Sequence, residues 1–111
     1  MEISRCDEDG VAALILRGRL DQGSADALHH AAMEVVGEGA RSLVVDMAGV
    51  DFIASVGIRA LIRPSQGLAL KGGKLAVASL QPQLSDFFKL TGLDQMFAIY
   101  VTRAEAVAAS R

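Results

Sequence analysis

Apolar residues along this chain follow two periods, and each change of period marks an element boundary. Ile3 to Cys6 reads as a short strand, and Asp7-Glu8-Asp9-Gly10 is dense in turn formers. Val11 to Leu16 is apolar on both alternating faces, as expected of a strand covered on both sides. It should pair with the first strand as an antiparallel hairpin. Gly18-Arg19-Leu20-Asp21 then leaves the sheet. Ser24 is placed to cap a helix running to about Val36, with Leu28, Ala31, Ala32 and Val35 as its apolar stripe. Gly37 and Gly39 end that helix. Leu43-Val44-Val45 is the next buried strand, and because a helical crossover reaches it, it should run parallel to its predecessor.

A second helix follows Ser55, with Ile58, Leu61, Ile62, Ser65, Leu68 and Ala69 as a stripe. Pro64 removes one of its hydrogen bonds, so a kink or an early end is expected there. Gly72-Gly73 closes the segment, and Lys74 to Ala78 is a further strand. Pro82 opens a shorter helix carrying Leu84, Phe87, Phe88 and Leu90, and Gly92 fits its stop. Phe97 to Tyr100 is a last strand. Thr102-Arg103-Ala104-Glu105 has capping-box spacing and starts a terminal helix. This order predicts one α/β domain over residues 1–111, with a mixed, mostly parallel sheet after its opening antiparallel hairpin.

Composition narrows the partners. About half of the 111 residues are apolar and 22% are charged, a balance that excludes disorder as the ground state. The net charge is −2 and the basic residues are scattered, so no basic stripe points to nucleic acid or an anionic membrane. Five aromatics without a tryptophan are a poor stacking platform for single strands. No apolar run approaches the length of a membrane span, and no signal peptide is visible, so a cytoplasmic chain is expected. Cys6 is the only cysteine and reads as a small apolar residue on a strand. His29 and His30 are adjacent, which on a helix points them about 100° apart, so they read as a solvated edge.

Chemistry for an enzyme is hard to assemble. Gly72-Gly73 lacks the spacing of a phosphate-binding loop, and Ser55 follows Ile53-Ala54 rather than standing in a nucleophile elbow. Asp21, Asp46 and Asp51 could gather at one sheet edge as a magnesium site or an acid–base pair. Turn and cap formation is the commoner use of such aspartates. No catalytic residue, metal or cofactor is therefore assigned.

Ser55 carries the functional interest. A serine at a strand–helix junction ordinarily caps the helix. The same free N–H groups would also tolerate a phosphoserine, which adds about −1.5 to −2 charges. A helical wheel turns Ile58, Leu61, Ile62, Ser65 and Ala69 inward. Val56, Ala60, Gly67 and Leu70 fall opposite, bordered by Arg59, Arg63 and Gln66. That small, partly apolar face is either a docking surface or is covered by a neighbouring helix.

At these residues the sequence resembles the STAS family, and within it the bacterial anti-sigma factor antagonists. The match runs through LVVDMAGVDFIASVGIRALI, Gly18-Arg19-Leu20-Asp21, and Leu80-Gln81-Pro82 to Leu90-Thr91-Gly92-Leu93-Asp94 and Phe97. The resemblance implies a mixed sheet with helices packed on one side. It implies partner switching: the unphosphorylated antagonist binds an anti-sigma factor that is a serine kinase, the kinase phosphorylates it, and a serine phosphatase resets it. The implied phosphoacceptor is Ser55. The resemblance puts Asp21 and Ser24 in a loop at the partner surface; with the joint and the outer face of the helix, the expected surface is Asp21, Ser24, Ala54, Ser55, Val56, Gly57, Arg59, Ala60 and Arg63. The sequence departs from the family pattern at Ala54, where kinase-regulated members carry aspartate. A non-switching STAS adaptor in a transport or signalling complex is the alternative, with Ser55 acting only as a cap.

Overall fold

Parallel strands need long crossovers, and this chain meets that need with helices. The computed structural model describes all of residues 1–111. Its elements are β1 (Glu2–Glu8), β2 (Val11–Leu20), α1 (Gln22–Gly37), β3 (Ser42–Ile53) and α2 (Ser55–Ala69), then β4 (Lys74–Ala78), α3 (Pro82–Thr91), a 3-10 turn (Leu93–Gln95), β5 (Ala98–Tyr100) and α4 (Arg103–Ser110). The five strands lie in one sheet in sequence order. β1 pairs antiparallel with β2, and every later neighbour pairs parallel.

The expected order of elements holds throughout. β4 occupies Lys74–Ala78 as expected, and α3 starts at Pro82 and stops at Gly92, which adopts φ +77. That left-handed conformation is cheap for glycine alone. Thr102 caps α4 by accepting the Glu105 N–H at 3.1 Å. α2 passes through Pro64 and continues to Ala69, so the expected early end does not occur.

One expectation about layering needs correction. A sheet that grows steadily to one side through right-handed crossovers places its crossover helices on one face. α1, α2 and α3 obey this: Leu14, Leu16, Val45, Met47 and Val77 meet Leu28, Val35, Leu61, Leu68 and Phe88 in the main core. α4 is not a crossover, and it covers the opposite face. There Ala106 and Val107 pack on Val11, Ala13, Val44, Ala76 and Ala78, whose small side chains admit a close-lying helix. The helices therefore occupy both sides of the sheet, three against one.

The middle strands also run further than their apolar stretches suggest. β2 continues to Leu20 and β3 to Ile53, paired with irregular steps between Ile15 and Arg17 and between Gly18 and Arg19. β4 pairs only as far as Asp46, so this upper part is a two-stranded ribbon projecting beyond the rest of the sheet. The Arg17-Gly18-Arg19 and Gly49 to Phe52 segments, of which only Val50 reaches the main core, belong to it because backbone pairing needs no apolar side chain.

Candidate functional site

The ribbon delivers two helix N-termini to one place. Leu20 is the register partner of Ile53, so Asp21 and Ala54, which follow them, become neighbouring caps of α1 and α2. The Ala54 N–H donates to the Leu20 carbonyl at 2.9 Å and ties the two junctions together. Gly57 makes this possible. A Cβ there would stand 2.6 Å from Leu20 Cγ and 3.0 Å from its carbonyl oxygen, so only glycine lets α2 approach β2 so closely.

Both caps differ from the sequence expectation. Asp21, not Ser24, caps α1: its carboxylate accepts the Gly23 N–H at 3.0 Å, and its own N–H donates to Ser24 Oγ at 3.0 Å. Ser24 stands three residues into the motif and is buried, its hydroxyl donating to the Arg19 carbonyl at 2.7 Å. Ser55 is not a cap either. Ala54 holds the cap position of α2 with no side-chain hydrogen bond, and Ser55 is the first helical residue. Its side chain is exposed and has no hydrogen-bond partner in the fold. The position where the family pattern has aspartate is thus a helix cap that Ala54 leaves empty.

The wheel drawn for α2 is rotated relative to the structure. Gly57, Ala60, Leu61, Pro64 and Leu68 are buried, while Ile58, Ile62 and Ser65 are half-buried at the flank and Ala69 is exposed. The side carrying Val56, Ala60 and Gly67 packs on α1, and a Cβ on Gly67 would meet Val36 at 3.2 Å. A neighbouring helix therefore covers this side, and only Leu70 of that set is fully exposed. Small residues are the physical reason: they carry little hydropathy but permit the closest helix approach.

The structure accordingly divides the residues expected at a partner surface. Ser24, Gly57 and Ala60 are buried and serve as supports. Ser55, Arg59 and Arg63 are exposed on one face of α2, while Asp21, Ala54 and Val56 are partly exposed beside them. Three further residues join this surface without having stood out in the sequence. The Arg19 guanidinium lies 4.1 Å from the centre of the Phe52 ring and 3.9 Å from Asp21 Oδ2, and Phe52 is 37% exposed. His29, from α1, lines a groove with Arg59 and Arg63. The register pairing of Arg19 with Phe52 is the signal, and it exists only once β2 and β3 are extended.

The loop aspartates have separate surroundings. Asp21 caps α1, and Asp51 is exposed on β3. Asp46 is buried toward α4, accepting from the Ala48 N–H at 3.0 Å and from Arg103 at 3.1 Å. The fold brings together no group of three or more histidine, cysteine, aspartate or glutamate side chains able to hold a metal ion.

Comparison with known proteins agrees with this fold. The model of the STAS domain family matches residues 5–106. The anti-sigma-F factor antagonist RsfB of Mycobacterium tuberculosis is 33% identical over 111 residues, spanning 98% of this chain and 88% of its own length. A crystal structure of an anti-sigma factor antagonist from Mycobacterium paratuberculosis superposes with a TM-score of 0.88 at 33% identity, covering 99% of this chain and 93% of that one. The Bacillus cell fate determinant SpoIIAA in its phosphorylated form shares the fold, with a TM-score of 0.75 at 17% identity over 99% of this chain and all of the other.

Proposed function

The chain belongs to the STAS domain family, and from that premise we propose that it is an anti-sigma factor antagonist switched by phosphorylation of Ser55. Unphosphorylated, it binds an anti-sigma factor that is itself a serine kinase. The kinase transfers the γ-phosphoryl group of its ATP to Ser55 Oγ; a new O–P bond forms, ADP leaves, and the hydroxyl proton passes to a base. A serine phosphatase hydrolyses the ester and resets the cycle.

The observation that carries this reading is the exposed, unpartnered Ser55 hydroxyl at the first helical position of α2. A capping serine would have its oxygen occupied, whereas this one is free to react. The N–H groups of Ser55 and Val56 lie in the first turn, where no helical carbonyl reaches them. They and the helix dipole favour an added phosphate locally, so the fold tolerates the modification while its surface changes sign. A partner docked over Ser55 meets a dianion that it must desolvate.

The test is binding to the kinase recovered on the unphosphorylated protein. Ser55→Ala should bind as the parent does, and Ser55→Asp at least about tenfold more weakly, a difference of roughly 1.4 kcal/mol. Equal binding by both variants removes the switch. Mass spectrometry that finds no phosphate on Ser55 under any growth condition favours the non-switching adaptor instead.

A further inference from the structure

Arg5, Arg17, Arg19, Arg103 and Arg111 each have a carboxylate within 3.9 Å. Of the remaining three arginines, two sit one turn apart on α2: Arg59 and Arg63, both exposed and both without an ion pair. In a chain of net charge −2 this is a local excess of free positive charge. Local helix physics gives it no purpose. α2 has no acidic residue in its first turn to pair with them.

The two arginines rim a groove between α1 and α2 with a volume of about 270 Å³. Its floor is made of the small residues Ala25 and Ala60, His29 stands on the α1 side, and Asp26 is the one carboxylate on its edge. That volume is below the roughly 300–1,000 Å³ of small-molecule sites and suits side chains of a docked segment. Ser55, Arg59 and Arg63 follow at i, i+4 and i+8, so each is about 6 Å above the next on the same helix face.

We propose that this groove docks a carboxylate-bearing segment of the partner through Arg59 and Arg63, and that phosphate on Ser55 expels it by pairing with Arg59. The proposal rests on the partner-switching reading and specifies its chemistry. A guanidinium binds carboxylate or phosphate equally well in a two-pronged geometry, so the phosphoserine is an internal competitor for the same group. Phosphorylation then acts twice: it removes Arg59 from the docking surface and adds a dianion that repels the partner's carboxylate.

Two measurements test this. The folded, isotope-labelled chain is titrated with a glutamate-rich octapeptide and with its glutamine counterpart, and amide resonances are followed by NMR. The glutamate peptide should shift His29, Arg59 and Arg63, and the double variant Arg59→Gln/Arg63→Gln should lose at least tenfold in affinity while keeping its remaining spectrum. Equal binding of the glutamine peptide, shifts centred elsewhere, or an unaffected double variant overturns the docking claim. In the second, phosphoserine is incorporated at position 55 and its phosphorus resonance is titrated against pH. The second pKa of the phosphate, ordinarily about 6, should lie lower in the parent than in Arg59→Gln, and identical curves overturn the competition. Neither measurement uses the kinase. A Ser55-independent kinase would therefore sink the switching reading alone, and a failed peptide titration would sink this inference alone.

Discussion

At the scale of single residues, Ala54 and Gly57 hold the site in place for opposite reasons. Ala54 occupies a cap position without an oxygen to offer. Ala54→Asp should therefore raise stability by about 1 kcal/mol, the usual worth of a cap, read as a higher urea midpoint at unchanged slope. An unchanged midpoint would mean that water already serves those N–H groups as well. Gly57 is needed for its missing side chain. Gly57→Ala drives a methyl group against Leu20 Cγ and its carbonyl oxygen, and should cost about 1–3 kcal/mol in the same measurement. That variant should also weaken partner binding, because the α2 N-terminus is displaced from Asp21.

Among elements, the clearest electrostatic link joins β1 to the end of α1. Arg5 grips the Glu38 carboxylate with two hydrogen bonds of 2.7 and 2.8 Å. Its side-chain hydrogen bonds hold that carboxyl below its ordinary pKa, and Arg5 itself is held above its own. A carboxyl with a lowered pKa stabilises the fold above the ordinary glutamate range, about 4.3. That stability is lost as pH falls through the lowered value. Both side chains are solvent-accessible, so the effect is small. Glu38→Gln should melt slightly below the parent at pH 7, and the two melting curves should converge in acid. A difference that persists in acid would assign the loss to packing.

On the scale of the whole molecule, α4 closes the second face of the sheet and is pinned there by charge. Arg103 reaches Glu8 on β1 at 3.0 Å and the buried Asp46 on β3 at 3.1 Å. Arg103→Met keeps most of the packing but strands Asp46 with only the Ala48 N–H, and should cost about 1–3 kcal/mol in denaturant unfolding. Binding at the Ser55 end should be untouched, since α4 lies across the sheet from α1 and α2. A loss of binding in this variant would show that the two faces are coupled.

Much of this architecture is local and was therefore legible. Strand alternation, the Pro82 start, the Gly92 stop and the Thr102 cap depend on residues a few positions apart, as does the parallel run forced by helical crossovers. The length of β4 follows from an equally short pattern, whereas Phe97, expected in the last strand, lies just before β5 and packs in the main core. What stayed hidden depends on residues far apart in the chain. Ser24 and Ser55 looked like caps because the ends of β2 and β3 could not be placed until the strands paired. The inward face of α2 does not show in its hydropathy, because Gly57 and Gly67 matter for what approaches them, Leu20 and Val36. α4 lay free of the handedness rule that governs crossovers, so nothing in its sequence told it which face to cover. The sequence by itself determined the order of elements and marked Ser55 as the residue at the joint. Tertiary structure alone left its hydroxyl uncommitted and set it above two unpaired arginines, because both facts follow from how α1, α2 and the β2–β3 ribbon meet.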